Sequence, residues 1–167
     1  GFRPETVENR LKDYDLTPND ITKVLMTHGH GDHVGGLSLF ENATVYALEW
    51  ERENLLANGG RIDISLNPND RLSIGDTFID VYSVPGHTDG TAVYLIEGIL
   101  LLGDAALVNE ARAIANVPEN RSDDPAVAAK NMALLGEDFD ERGIDIDWLV
   151  PSHSGAVEGI QPLLDYA

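Results

Sequence analysis

Short apolar runs alternate with amphipathic segments over the first 60 residues of the chain. An apolar residue every three or four positions predicts a helix, whereas a short unbroken apolar run predicts a buried strand. The helix predictions cover residues 4–14, 35–40 and 49–57, and the strand predictions cover residues 21–26 and 43–48. Pro4 at the start of the first helix and Asn58-Gly59-Gly60 after the last one are typical of helix ends. The pattern indicates an alternation of strands and helices.

The pattern changes after Asp70. Four β-rich runs then follow one another, separated by glycine-containing turns, which predicts a meander of adjacent strands. These runs cover residues 71–74, 77–84, 91–97 and 99–102. Asp124-Pro125 begins a segment with helical spacing, and the run 146–150 predicts a final strand. The second half therefore contains most of the predicted strands.

These elements predict a mixed α/β protein of one domain. The chain has 167 residues, of which 43% are hydrophobic, enough for one domain with a core and short for two. We therefore treat residues 1–167 as a single domain. The longest apolar stretches, such as 99–102, are far too short to cross a bilayer, so we expect a soluble protein with no membrane partner. The absence of cysteine excludes disulfides and thiolate ligands.

The charge narrows the range of partners. The 29 acidic residues exceed the 11 basic ones and give a formal net charge of −18 at pH 7. Such a surface repels phosphate backbones and anionic lipids, and the sequence contains no basic cluster. We therefore expect a small-molecule substrate and no nucleic acid. A homo-oligomeric assembly stays open.

All five histidines occur in metal-binding patterns. Three of them and an aspartate fall within six residues, interleaved with glycines that would pack poorly in a core. Two more histidines follow Pro-Gly and Pro-Ser dipeptides, and a second aspartate follows a glycine. The seven candidate ligands are His28, His30, Asp32, His33, His87, Asp104 and His153. Imidazole and carboxylate groups suit zinc, iron and manganese, and seven of them indicate two ions rather than one.

The candidate ligands come directly after predicted strands. Ligands on loops at strand ends can converge at one edge of packed sheets while the strands keep them rigid. Hydroxyl-bearing neighbours of the histidines are candidates for orienting the imidazoles, although an ordinary role in turns is the competing interpretation. These neighbours are Thr27, Thr88, Ser152 and Ser154.

The motif His-x-His-x-Asp-His, followed in order by His, Asp and His, resembles that of the metallo-β-lactamase superfamily. The resemblance covers nearly the whole chain and implies an α/β fold, the αββα sandwich of metal-dependent hydrolases. It implies two divalent ions, zinc or else iron or manganese. The implied ligands are His28, His30 and His87 for the first ion, Asp32, His33 and His153 for the second, and Asp104 as the bridge.

The resemblance also implies a reaction. A hydroxide shared by two ions would attack an ester, thioester, lactone or related bond, and Asp32 would act catalytically by relaying a proton. The substrate itself is not encoded in a recognisable motif. We expect the segments 55–68 and 105–123 to determine specificity.

Several subfamilies differ from this chain at identifiable positions. True β-lactamases of this fold carry a cysteine at the second metal and lack a counterpart of His33. Flavodiiron-type members have a glutamate where His30 stands. Hydroxyacylglutathione hydrolases add a helical domain after the last ligand, whereas few residues follow His153 here, and enzymes that process transfer RNA are disfavoured by the charge.

Two alternatives remain open. Persulfide dioxygenases share the motif but bind one iron through two histidines and an aspartate, so metal stoichiometry separates an oxidoreductase from a hydrolase. A non-catalytic metal-binding module is the other alternative.

The resemblance further implies strands before the helix that begins at Pro4. The sequence has none there, and we interpret Gly1 as the glycine that closes the last of them. We therefore expect the domain to lack the first N-terminal strands and to be N-terminally incomplete.

Overall fold

The computed structural model describes residues 3–166, so Gly1, interpreted above as the end of a strand, lies outside the described residues. Contacts between Cα atoms divide the chain into two compact units. The first unit comprises residues 1–66 and the second residues 67–167. The expectation of one N-terminally incomplete domain over 1–167 stays a prediction.

The first unit holds a three-stranded parallel sheet whose strands are connected through helices. Its helices and strands are α1 (Pro4–Lys12), β1 (Lys23–Leu25), α2 (Gly31–Val34), β2 (Thr44–Leu48), α3 (Arg52–Ala57) and β3 (Ile64–Leu66). The strand order is β1-β2-β3, with Lys23 opposite Thr44 and Tyr46 opposite Ile64. The buried apolar cluster of this unit consists of Met26, Val34, Leu37, Val45, Ala47 and Leu55.

The predictions for the first unit are confirmed in α1 and β2 and need correction elsewhere. The strand predicted over 21–26 is shorter, since β1 covers only Lys23–Leu25. It is also not fully buried: Lys23 is exposed and the other two residues are half-buried. The segment predicted as a helix over 35–40 contains only a 3-10 turn, Leu37–Leu39, and a separate short helix, α2, precedes it inside the histidine motif. The backbone N–H of Val34 donates to the carbonyl oxygen of His30, which closes the first turn at that point. The predicted helix over 49–57 starts as a 3-10 turn and continues as α3.

The second unit is built on a six-stranded sheet with one long helix. Its elements are β4 (Arg71–Ile74), β5 (Thr77–Ser83), β6 (Ala92–Ile96), β7 (Ile99–Gly103), β8 (Leu107–Val108), β9 (Ile114–Ala115), α4 (Pro125–Glu141), β10 (Trp148–Pro151), β11 (Val157–Glu158) and α5 (Gln161–Leu164). The order in the sheet is β11-β10-β7-β6-β5-β4, and β8 pairs with β9 separately. All neighbours in the large sheet are antiparallel except β7 and β10.

Helix α4 is joined to the sheet by the main apolar cluster of the second unit. Alternate residues of the strands, such as Leu100 and Leu102, are buried in it together with Met132 and Phe139 of α4. The helix begins where Asp124 accepts a hydrogen bond from the backbone N–H of Val127. This N-cap fixes the first turn of α4 next to the loop that follows β5.

The predicted meander is confirmed as β4 to β7, and the predicted helix after Asp124 is confirmed as α4. The strand predicted over 146–150 begins two residues later, because the N–H groups of Asp147 and Trp148 both donate to the carbonyl oxygen of Gly98. It is not the final strand, since β11 follows it. Among the residues that the structure describes, no helix is long and apolar enough to cross a bilayer.

Candidate metal centre

The histidine motif lies where β1 leaves the sheet of the first unit. The N–H of Met26 still donates to the carbonyl oxygen of Tyr46, at 2.8 Å, and the motif follows immediately. His30 then occupies the N-cap position of α2. One short helical turn therefore presents Asp32 and His33 directly after the extended segment that carries His28.

Three imidazoles pack together within this motif. The fully buried ring of His28 lies 4.8 Å from that of His30 and 4.1 Å from that of His33, measured between centroids. A nitrogen of His28 lies within 4.8 Å of a nitrogen in each of the other two rings. His33 Nε2 lies 3.7 Å from Asp32 Oδ2. The structure therefore brings together the four ligands predicted in the first unit.

One predicted orienting contact is present here. Thr27 Oγ1 lies 3.2 Å from Nδ1 of His28. With the proton on Nδ1, this N–H donates to the hydroxyl and Nε2 keeps its lone pair for a metal ion. The Thr27 hydroxyl can therefore accept the Nδ1 proton in the tautomer that a ligand needs.

The three ligands predicted in the second unit also lie together. Asp104 Oδ2 is 3.7 Å from Nε2 of His87 and 3.3 Å from Nε2 of His153. His87 and Asp104 are buried, whereas half of the His153 side chain is exposed. One carboxylate oxygen is thus close to two imidazole nitrogens.

The turn that carries His87 is held by α4 and the residues before it. The carbonyl oxygens of Pro85 and Gly86 accept hydrogen bonds from the Asn131 side chain and the Asp124 N–H, each at 2.8 Å. Ser122 Oγ lies 3.4 Å from Nδ1 of His87. Sequence reasoning missed Ser122, because 35 residues separate it from the histidine.

The contacts of the remaining predicted orienting residues are of other kinds. The Thr88 hydroxyl lies 2.8 Å from the hydroxyl of Thr91 in a buried turn. Ser154 Oγ accepts a hydrogen bond from the N–H of Val108. Ser152 is exposed, and its own N–H donates to the carbonyl oxygen of Gly103. Thr88 thus takes part in a turn, whereas Ser154 binds the backbone of a segment 46 residues earlier in the sequence.

The donor groups in each unit fit divalent ions. They are imidazoles and carboxylates without thiolates, which suits zinc, iron or manganese. The Nδ1 atoms of His28 and His87 both face hydroxyl groups, so Nε2 is the ligand atom available on each ring. On Asp104, Oδ2 is the carboxylate oxygen that faces Nε2 of both His87 and His153.

Comparison with known proteins identifies the family of the chain. A family model described as the metallo-beta-lactamase superfamily matches residues 2–153. A hydroxyacylglutathione hydrolase of Pseudomonas fluorescens (strain SBW25) is 39% identical over 87 residues, which cover 50% of this chain and 32% of that protein. Metallo-beta-lactamase domain-containing protein 1 of Xenopus laevis is 33% identical over 94 residues, covering 54% of this chain and 38% of that protein. The matches thus span about a third of these relatives.

Solved structures give the same fold. A metallo-beta-lactamase from Pontibacter korlensis matches with a TM-score of 0.72 and 21% identity, covering 97% of this chain and 75% of that one. A metallo-beta-lactamase family protein from Thermus thermophilus matches with a TM-score of 0.71 and 20% identity, covering 96% and 64%. These matches confirm the predicted α/β class and the metallo-β-lactamase fold. The chain belongs to the metallo-beta-lactamase superfamily.

Proposed function

We propose that the protein is a hydrolase that works with two divalent metal ions, zinc in the first instance and otherwise iron or manganese. The proposed ligands are His28, His30 and His87 for one ion, Asp32, His33 and His153 for the other, and Asp104 for both. Membership of the superfamily supports the proposal. So does the grouping of the candidate ligands within each unit.

One observation carries the proposal furthest. Asp104 Oδ2 lies near Nε2 of both His87 and His153, which the proposal assigns to different ions. A carboxylate oxygen in this position is suited to bridging.

The residues of the site have separable tasks. Bound divalent ions would lower the pKa of water and polarise the bond that is attacked. His28 and His87 are each buried, so bulk water has little access to either ring. The Asp32 side chain is 40% exposed and reaches to within 3.7 Å of His33, so its Oδ atoms can pass a proton to a substrate that approaches from solvent.

A thioester or ester is the first substrate class to test. The similar Pseudomonas protein is named a hydroxyacylglutathione hydrolase, and the aligned 87 residues are 39% identical. The net charge of −18 disfavours substrates with long phosphate backbones. Lactones remain within the same reaction class, because they also present an acyl carbon to the nucleophile.

The test combines metal analysis with turnover on the same sample. Purified protein loaded with zinc, iron or manganese is analysed for metal per chain and assayed on thioesters, esters, lactones and phosphodiesters. Two ions per chain with acyl hydrolysis are expected. One iron per chain with oxygen consumption on a persulfide would favour the dioxygenase alternative. Bound metal without turnover on any substrate would favour a binding module.

A further inference from the structure

Glu51 is a buried carboxylate that the proposed reaction does not use. It ends the 3-10 turn after β2 and is only 1% exposed, whereas charged side chains are costly to bury without partners. Its Oε1 accepts a hydrogen bond from the backbone N–H of Gly29 at 2.7 Å and another from Asn54 Nδ2 at 2.9 Å. Glu51 therefore binds the backbone of the histidine motif at Gly29.

The position of Glu51 at a helix terminus does not explain this contact. The residue occupies the N-cap position of α3, where a side chain commonly accepts a hydrogen bond from the helix backbone. Glu51 makes no such capping bond. Its carboxylate is directed instead to a backbone N–H that lies 22 residues earlier in the sequence.

Gly29 lies between two proposed ligands and is held tightly. A Cβ at this position would be 2.6 Å from the backbone nitrogen of Leu55 and 2.8 Å from the carbonyl carbon of Asn54. The backbone of the motif thus rests directly on α3. Close steric contact with α3 and the hydrogen bond to Glu51 together hold the backbone of Gly29 between His28 and His30.

We infer that Glu51 is a positioning residue for the metal ligands His28 and His30, an inference that rests on the proposed metal site. The direction of both imidazoles depends on the backbone at Gly29, because this residue connects them. A hydrogen bond to a carboxylate is stronger than one to a neutral acceptor, so it holds that backbone more firmly. Because the backbone of the motif is already ordered, metal binding loses less free energy to the ordering of His28 and His30.

The neighbouring Glu49 provides a matched control on the same turn. Its exposed carboxylate is bonded to Arg52 and to Ser65 at the surface. E49Q therefore makes the same chemical change as E51Q, but its bonds do not involve the histidine motif. In both E49Q and E51Q the side chain keeps its length and loses one negative charge.

The experiment compares wild type, E51Q, E51A and E49Q. Zinc affinity is measured by competition with a chromophoric chelator. The unfolding midpoint and the amide proton shift of Gly29 are measured on the metal-free proteins. E51Q keeps an oxygen near the N–H of Gly29, so it should fold, whereas E51A removes the acceptor. We expect zinc affinity to fall by about 10-fold in E51Q and by up to about 100-fold in E51A, as for other groups that orient metal ligands.

The outcomes separate the inference from the proposed function. An upfield shift of the Gly29 amide proton in E51Q, with weaker zinc binding and unchanged binding by E49Q, supports the inference. A lower unfolding midpoint in E51Q with the zinc affinity of wild type overturns it, because Glu51 would then be only structural. If wild type takes up no zinc, the proposed function fails and this inference with it. Equal zinc affinity in wild type and E51Q overturns the inference alone.

Discussion

A Cβ on Gly86 would lie 2.2 Å from the backbone nitrogen of Ala128 in the first turn of α4. Gly86 also has a φ of +134°, a backbone conformation that residues with a Cβ rarely adopt. The N–H of Asp124 donates to its carbonyl oxygen. The turn that carries His87 and the start of α4 are therefore packed backbone to backbone.

Gly86→Ala should destabilise the protein and displace His87. Over-packing against backbone atoms costs about 1–3 kcal/mol, and the unfavourable φ adds a similar strain. Denaturant unfolding of the metal-free variant measures the loss of stability. Zinc affinity, measured on the folded fraction, should fall as well.

Gly143→Ala separates the effect of close packing from the effect of the unfavourable φ. Gly143 has a φ of +60° but no atom within 4 Å of a Cβ, so only the backbone penalty of about 1 kcal/mol applies. Gly86→Ala should therefore be clearly the more destabilising of the two. Equal losses of stability would contradict the close packing of Gly86 on α4.

Ser122→Ala should weaken metal binding with little loss of stability. Ser122 is half-buried, and its Oγ lies 3.4 Å from Nδ1 of His87. Removal of a group that orients a ligand typically costs 10–100-fold in metal affinity, and this long contact predicts about 10-fold. Isothermal titration with zinc measures the effect. Ser73→Ala, on the exposed side of β4, is the control, and a similar affinity in both variants would show that Ser122 does not orient His87.

The family and its fold could be predicted from sequence because the informative residues are close together in the motif. His28 to His33 occupy one turn and its approach, so their grouping follows from local geometry. The later residues His87, Asp104 and His153 could be recognised because each follows an apolar strand. The grouping of these three within the second unit agrees with that reasoning.

The supporting contacts could not be predicted, since they depend on how distant segments pack. Glu51 reaches Gly29 across 22 residues, and Ser122 reaches His87 across 35. Neither residue belongs to a recognisable motif. A buried glutamate also contradicts the usual preference of charged residues for the surface.

The short strands were missed for a different reason. β8, β9 and β11 have two residues each, which is too few for a period of two to appear. In β3 only Leu66 is buried, so the segment lacks an apolar run. These strands form because neighbouring strands offer them backbone partners.

Asp104→Ala should abolish the stabilisation that zinc gives to the protein. A ligand that binds only the folded state adds about 2.7 kcal/mol at a concentration of 100 times Kd. Wild type should therefore unfold at a lower temperature after treatment with a chelator. The variant should unfold at the same temperature with and without zinc, because its proposed bridging carboxylate is absent.

The control for this prediction is Asp140→Asn, which also removes one negative charge. Asp140 is exposed near the end of α4, away from the candidate ligands of the second unit. This variant should keep the full zinc-dependent shift in unfolding temperature. If Asp104→Ala keeps that shift too, Asp104 is not a metal ligand.

Glu49 should give the protein a pH-dependent contribution to stability. Hydrogen bonds from Arg52, and then from Ser65, hold the pKa of the Glu49 carboxyl at about 2, below its ordinary value of 4.5. Because the folded-state pKa is the lower one, the contribution is complete above about pH 4.5 and is lost as the pH falls towards about 2. E49Q should therefore be less stable than wild type near neutral pH, and the difference should shrink through this window.

Urea unfolding of both proteins at stepped pH measures the difference, and added salt should reduce it because the pair is exposed. A difference that stays constant from about pH 6 to pH 2 would mean that the lowered pKa of Glu49 does not contribute to stability.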